Sequence, residues 1–515
     1  MRPEAAPIRG YTDTDGRIGI TDVRRGCRQA HGDVVGGDCL PCRGRTGVQG
    51  VHWQLFGHGE KLSTPNNSRN KRESSKSNVL SSRFWNVVIS VSALGPLANR
   101  NFRLLLGGHA MGMLLGPLQF LTQILWVQAY APEDVWLILV ALIGACRGIG
   151  ALSFGLYGGA LADRYDRRKL LIAIQAILVL CTLCIAALML INVTGPLAFT
   201  VFFLLTLVSG GLQAVDMPTR LAIVPDILGP ELTSAGMSLK QVAAQLAMPV
   251  AMFATGYIIH EFGFGGAYLI SVTGHVAVIL LLSVLRYEQP EQIRRTGSYG
   301  FKQALDDVRF GLNYAKGHRV VGWVIVLLIL MMGLGFPATA NLGPTWITTE
   351  VGVPIQDMGW VVMNWGIGSL VAAVLLTRFA NIEHRGWLIA GGALLFSASF
   401  LIFVGDTTVT NVVIGNLGLG AGMTITTVSA TILIQALVPN EVRGRIMSIF
   451  QLNMGFAQIM TMPVALLGQW LTLVVLFPTM AWLTLLSVAL LLFSQPQIAR
   501  AKIIRGVEEF ATSNR

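Results

Sequence analysis

The sequence predicts an all-α membrane protein, with twelve transmembrane helices arranged as two pseudo-symmetric six-helix halves. Three observations lead there. Of the 515 residues, 53% are hydrophobic and only 13% are charged, about half the charged fraction of a soluble protein. Twelve apolar segments follow one another from residue 103, each long enough to cross a bilayer core of ~30 Å as a helix. Short sequences also recur at one spacing. Ala222-Ile-Val-Pro225 returns as Ala436-Leu-Val-Pro439, and Met248-Pro249-Val250-Ala251 as Met462-Pro463-Val464-Ala465, each pair offset by 214 positions. The same offset sets Arg164 on Arg378.

In chain order, residues 1–92 form a polar N-terminal tail without apolar periodicity, expected to be disordered. No secretory signal is visible, because no apolar core follows the early charges. Cys27, His31, Cys39 and Cys42 could supply four zinc ligands, but their spacing fits no finger and the segment has almost no core, so no metal is expected. Cys181 and Cys184 lie inside an apolar segment, where packing is the expected role.

Residues 93–285 make the first half, with segments near 103–128, 135–161, 170–192, 196–216, 234–259 and 265–285. Residues 320–495 make the second, with segments near 320–345, 359–377, 386–405, 409–435, 446–468 and 472–494. Between them, 286–319 is a linker in which Phe301, Leu305, Val308, Leu312 and Ala315 recur at helical spacing. It reads as an amphipathic helix at the membrane surface. Residues 496–515 form a C-terminal tail.

Charge orients the chain. The loops near 129–134, 193–195, 260–264, 346–358, 406–408 and 469–471 hold no Lys or Arg, whereas the alternate loops carry Arg167, Arg168, Lys169, Arg220, Arg385 and Arg443. Basic loops stay in the cytoplasm, so both termini and the linker are expected there. The net charge of +11 then faces anionic lipid head groups rather than nucleic acid.

The tightest hairpin is Gly159-Ala-Leu-Ala-Asp163-Arg164-Tyr-Asp166-Arg167-Arg168-Lys169. Asp163 and Arg167 stand one helical turn apart, able to pair or to hold separate partners. This stretch resembles the signature between helices 2 and 3 of the major facilitator superfamily, Gly-x-Leu-Ala-Asp-Arg-x-Gly-Arg-Arg/Lys, departing from it at Asp166. The loop after the fourth segment, Asp216-Met-Pro218-Thr-Arg220-Leu-Ala-Ile-Val-Pro225-Asp226, is similar to one branch, that of enterobactin-exporter-like proteins and macrolide-efflux-type drug:proton antiporters. Val438-Pro439-Asn440-Glu441-Val442-Arg443 matches in the second half. The antiporter Gly-Pro pattern of the fifth helix is reduced to Met248-Pro249 with Gly256. The resemblance implies parallel duplicated halves with the solute site between them. It also implies a gate in which Gly159, Asp163, Arg164, Arg167, Arg168, Asp216 and Arg220 take part. Asp163 would meet the N-terminus of helix 11 near Asn440–Arg445, and Arg167 would pair with Asp216.

Polar groups inside the bilayer are costly and therefore informative. Arg147 lies near mid-membrane on a face with Ala151, Gly155 and Gly158, so it points at protein rather than lipid. It serves either the solute or the packing of its own bundle. His109 and His275 suit proton transfer or simple packing. Gln119, Gln123, Gln245, Asn341, Asn364, Asn453 and Gln458 line a cavity or tie helices together. Gly108, Gly112 and Gly116 on the first helix, with Gly418 and Gly422 on the tenth, suit close helix packing.

The expected function is secondary active export of small amphipathic molecules by proton antiport, with no cofactor. The expected setting is the bilayer of a bacterial inner membrane, and the expected state a monomer. An importer of the same fold and a non-transporting receptor or scaffold are the rivals. An enzyme is disfavoured, because no His-Glu-x-x-His or Gly-x-Ser-x-Gly occurs, and no Gly-x4-Gly-Lys-Ser/Thr is present to bring ATP.

Overall fold

Among the described residues every regular element is helical. Helices are the solution a lipid environment imposes on a single apolar segment, since each backbone N–H and C=O must be satisfied within it. The computed structural model describes residues 94–287, 301–378 and 382–502; the zinc-type cluster of the N-terminal tail, part of the linker and the extreme C-terminus lie outside them.

Helix α1 is Arg100–Tyr130, α2 is Trp136–Arg164 and α3 is Arg167–Leu190. Asn99 caps α1 by accepting from the Asn101 and Phe102 amides. Asp166 caps α3, its side chain accepting from the Lys169 amide at 2.8 Å. The departure from the family signature thus supplies a helix start. Pro196–Val284 is one helical run of 89 residues, about 130 Å if straight and some four bilayer cores long. Gly229 (φ 71°) and Gly263 (φ 66°) break it into rods over 196–228 (α4), 230–262 (α5) and 264–284 (α6). Glycine tolerates that backbone, and Pro230 after the first break prevents a continuous hydrogen-bond ladder.

The linker holds a helix at Phe301–Gly317, and His318 Nδ1 accepts from the Val321 amide, capping the helix that follows. Helix α7 is Arg319–Asn341, with π-helical turns at Met331–Gly335 and Pro337–Asn341, followed by a short helix Gly343–Thr349. Then come α8 (Ile355–Arg378), α9 (Arg385–Gly405), α10 (Val409–Leu437), α11 (Asn440–Ile459, prolonged by Thr461–Gly468) and α12 (Leu473–Ser494). Nine described helices are long and apolar enough to cross a membrane when the 89-residue run counts once, which is consistent with twelve segments. Leu197, Trp470 and Phe493 are at least 77% exposed, as side chains facing lipid would be.

One sequence reading needs correction. Residues 216–226 are not a loop; they continue α4, with Pro218 and Pro225 inside the helix. Polar and basic residues ended the apolar segment early, but neighbouring side chains bury those turns. Helix α11 begins at Asn440, at the expected 440–445 start and ahead of the apolar segment at 446.

The two halves touch from mid-membrane to the end farthest from Arg167, here the far end. Gln128 on α1 donates to Thr348 at 2.8 Å, and Gln469 Nε2 donates to the Asp134 carbonyl at 3.3 Å. Helices α2 and α11 approach until a methyl on Gly148 would stand 2.6 Å from the Gly455 carbonyl oxygen. On the other side, a methyl on Gly256 of α5 would stand 2.6 Å from the Gly359 amide of α8.

Candidate transport site

Three polar layers lie inside the first half. At the basic end, Arg167 opens α3 and is 5% exposed. Its guanidinium donates to Asp226 Oδ2 at 2.6 Å and to the Ala222 carbonyl at 3.1 Å. Tyr287 donates to the same carboxylate oxygen at 2.5 Å. Burial first, then that hydrogen bond, pushes the Tyr287 phenol upward from its ordinary pKa. The expected Arg167–Asp216 pair is therefore replaced by Arg167–Asp226. The cause is the continued α4 helix, which carries Asp226 to the helix end beside Arg167 and leaves Asp216 three turns deeper. Arg168 donates to the Leu282 and Ser283 carbonyls, which closes the C-terminus of α6. The surroundings of Gly159 and the side chains of Asp163, Arg164, Asn440, Glu441 and Arg445 lie outside the described residues, and with them the expected contact of Asp163.

The second layer centres on Asp216. Arg220 donates to both its oxygens, at 2.5 and 3.1 Å, and Gln175 Nε2 donates to Oδ1 at 3.0 Å. Gln175 Oε1 lies 2.8 Å from His275 Nδ1, and His275 Nε2 lies 3.0 Å from Gln119 Nε2. One assignment satisfies every donor in this chain: the imidazole is neutral, Nδ1 carries the proton, and Nε2 accepts from Gln119. Gln119 also reaches Thr182 Oγ1 at 3.3 Å. His109 sits among the charges of Lys240, Arg220 and Asp216. Lys240 is 4% exposed. The sequence reading passed over Lys240, Gln175 and Tyr268, although a single lysine inside the apolar 234–259 segment was a usable signal.

The third layer surrounds Arg147. Its guanidinium lies 4.9 Å from the centre of the Phe120 ring and donates to Gln123 Oε1 at 3.5 Å. Gln123 Nε2 in turn donates to Thr206 at 3.2 Å. A cavity of about 10 Å³, lined from α1, α2, α3, α4 and α6, opens beside it. Arg147 thus looks into the first bundle and away from the contact between the halves.

Polar residues of the second half divide by partner. Asn341 Nδ2 donates to Thr461 at 2.5 Å, whereas Asn341 Oδ1, Asn453 Oδ1 and Gln458 Oε1 are buried without a hydrogen-bond partner among the described residues. Asn364 bonds to Trp360 and Val361 of its own helix. Gln245 crosses to Ser369 at 3.2 Å, and Ser369 meets Thr424 at 2.6 Å. His109, Asp216, Arg220, Gln123, Arg147 and His275 therefore gather in one bundle, while Gln245 and Asn341 lie at the contact between halves and Asn364 and Asn453 belong to α8 and α11 of the second half.

Two helical halves in contact, each with polar side chains buried among long apolar helices, are the arrangement of a membrane protein. Residues 137–462 match the model of the Major Facilitator Superfamily. That is more than half of the chain, and the protein belongs to this family. A curated relative is the Staphyloferrin A transporter of Staphylococcus aureus, 22% identical over 267 residues, which are 50% of this chain and 64% of the relative; the match spans less than two thirds of that relative's length. Among solved structures, a mutant of the nucleoside transporter NupG aligns with TM-score 0.62 at 13% identity, over 78% of this chain and 100% of that one. A D-xylose-proton symporter aligns with TM-score 0.59 at 14% identity, over 77% and 97%. The human organic anion transporter TETRAN aligns with TM-score 0.54 at 15% identity, over 76% and 99%. At these identities the structures speak for the fold.

Proposed function

We propose that the protein is a secondary active transporter that exports small amphipathic molecules (a drug, siderophore or metabolite) in exchange for protons, acting as a monomer by alternating access. The observation that carries this reading is the buried chain from Gln119 through His275 and Gln175 to Asp216. A proton arriving at His275 Nε2 faces the Gln119 amide nitrogen, so the amide must turn. Gln119 also lines the cavity beside Arg147, and turning it couples the protonation of one layer to the shape of the next. Export is favoured by the similarity of residues 216–226 and 438–443 to the exporter branch. The named cargo of the Staphyloferrin A relative supports siderophores among the candidate solutes. Asn341, Asn453 and Gln458 offer acceptor oxygens to solute hydroxyl or amide donors.

In proteoliposomes with an imposed pH gradient, solute flux is expected with opposite proton flux. His275→Gln is expected to lose the gradient-driven component while retaining solute exchange at equal pH. Proton flux unchanged in His275→Gln would overturn the coupling role. Loss of both activities with normal insertion would move His275 to the solute site. In cells, deletion of the gene should raise sensitivity to amphipathic antibiotics or lower siderophore secretion. Loss of uptake instead selects an importer, and no solute phenotype selects the receptor reading.

In this proposal the basic end faces the cytoplasm, so the far-end contacts close the exterior side. The gate at Asp163, with Gly159 and Arg164 in its turn, closes the other. Cysteines placed at Glu133, Glu350 and Asp406 should label from outside intact cells. Labelling at Arg168 or Lys302 would reverse the topology.

A further inference from the structure

The cavity beside Arg147 is too small for an amphipathic solute, yet it is built from polar groups. No Asp or Glu lines it, and a guanidinium cannot shed its proton to relieve its charge. A fixed positive charge in a bundle interior calls for a counter-charge. Phe120 covers one face of the guanidinium, leaving its N–H edge for hydrogen bonds, of which the 3.5 Å contact to Gln123 is long.

The hydroxyls supply the second observation. Thr122, Thr219 and Thr255 each donate to the carbonyl four residues back, as buried helical threonines commonly do. Thr182 and Thr206, both lining the cavity, accept from Gln119 and Gln123, and neither makes that backward bond among the described residues. They are 3% and 1% exposed, so their own O–H groups have the cavity to donate into. Gln213 adds an amide, and Tyr268 a phenol, at the same wall. A permanent cation, two unspent hydroxyl donors and room for about one atom describe a receptor for a small anion.

We infer that this cavity binds a monatomic anion of the halide class, chloride under ordinary conditions, held by Arg147, Thr182 and Thr206 within the first bundle. The anion neutralises Arg147 and ties α2, α3 and α4 together. The inference is independent of the direction and coupling of transport. The same donors would suit a carboxylate group of a transported solute, and the measurement separates the two.

The full-length protein, purified in detergent in sodium gluconate, is titrated with sodium chloride, bromide or acetate at constant ionic strength while thermal unfolding is followed. Chloride and bromide are expected to raise Tm saturably, acetate is not, and Arg147→Gln should abolish the shift. Should Arg147→Gln fail to fold, Thr206→Val and Thr182→Val take its place, each expected to move the half-saturating chloride concentration upward about tenfold or more. In bromide-soaked crystals the anomalous signal should fall between Arg147 and Thr206. Equal Tm in chloride and gluconate, a shift retained in Arg147→Gln, or a response to acetate but not to chloride would each overturn the assignment.

Discussion

Asp226→Ala is expected to destabilise the protein by about 1–3 kcal/mol, the range for depriving a largely buried donor of one acceptor. The pair is partly buried: Arg167 is 5% exposed, and the Asp226 side chain, 14% exposed, lies 2.6 Å from it. Truncation removes the carboxylate that also accepts from Tyr287, so a cation and a phenol lose this acceptor at once, while Arg167 keeps the Ala222 carbonyl. Asp226→Asn keeps an acceptor oxygen and should cost less. A double-mutant cycle checks the pairing itself. Arg167→Ala and Asp226→Ala should be strongly non-additive, whereas Arg167→Ala and Asp216→Ala should add, because Asp216 is engaged with Arg220 and Gln175 instead. Unfolding in mixed detergent provides the energies; coupling of Arg167 to Asp216 in place of Asp226 would reverse the assignment.

Gly256→Leu and Gly148→Leu are expected to hold the far end apart. Each places a branched side chain where even a methyl would meet backbone at 2.6 Å. Backbone cannot step aside as a side-chain tip can, so the overpacking cost of about 1–3 kcal/mol falls on the closed state alone. That shifts the balance between far-end-closed and far-end-open states by a factor of roughly 5 to 150. The two substitutions lie on opposite sides of the contact, α2 against α11 and α5 against α8, so both should act in the same direction. Spectroscopic distances between labels on Gln128 and Thr348 should lengthen in each variant, and transport should fall while the folded fraction is kept. Unchanged distances in both variants would mean that the halves do not separate there.

Much of this architecture was legible in the sequence, because bilayer crossing imposes long apolar runs that alternate with charge. What escaped was local. Residues 216–226 look like a loop, since Pro218, Arg220, Pro225 and Asp226 would break a helix in water; in the structure their polar groups find partners on α3 and in the segment after α6, so the helix continues. The pairing of Arg167 followed from that boundary and failed with it. Arg147 was readable as buried and central, but helical periodicity does not say which bundle a face looks into. Lys240 was readable as a lone lysine in an apolar segment, but its neighbourhood of Arg220, Asp216 and His109 was not.

The helices of the two halves differ as mechanical parts. In the first half, α4, α5 and α6 follow one another through single-residue breaks at Gly229 and Gly263, leaving little slack between rods. In the second, α7 carries two π-helical turns and α11 is interrupted at Met460, and these irregular stretches meet where Asn341 bonds Thr461. Widened turns and broken ladders bend at lower cost than regular helix. A rocking motion between the halves would bend the second one first at these irregular stretches.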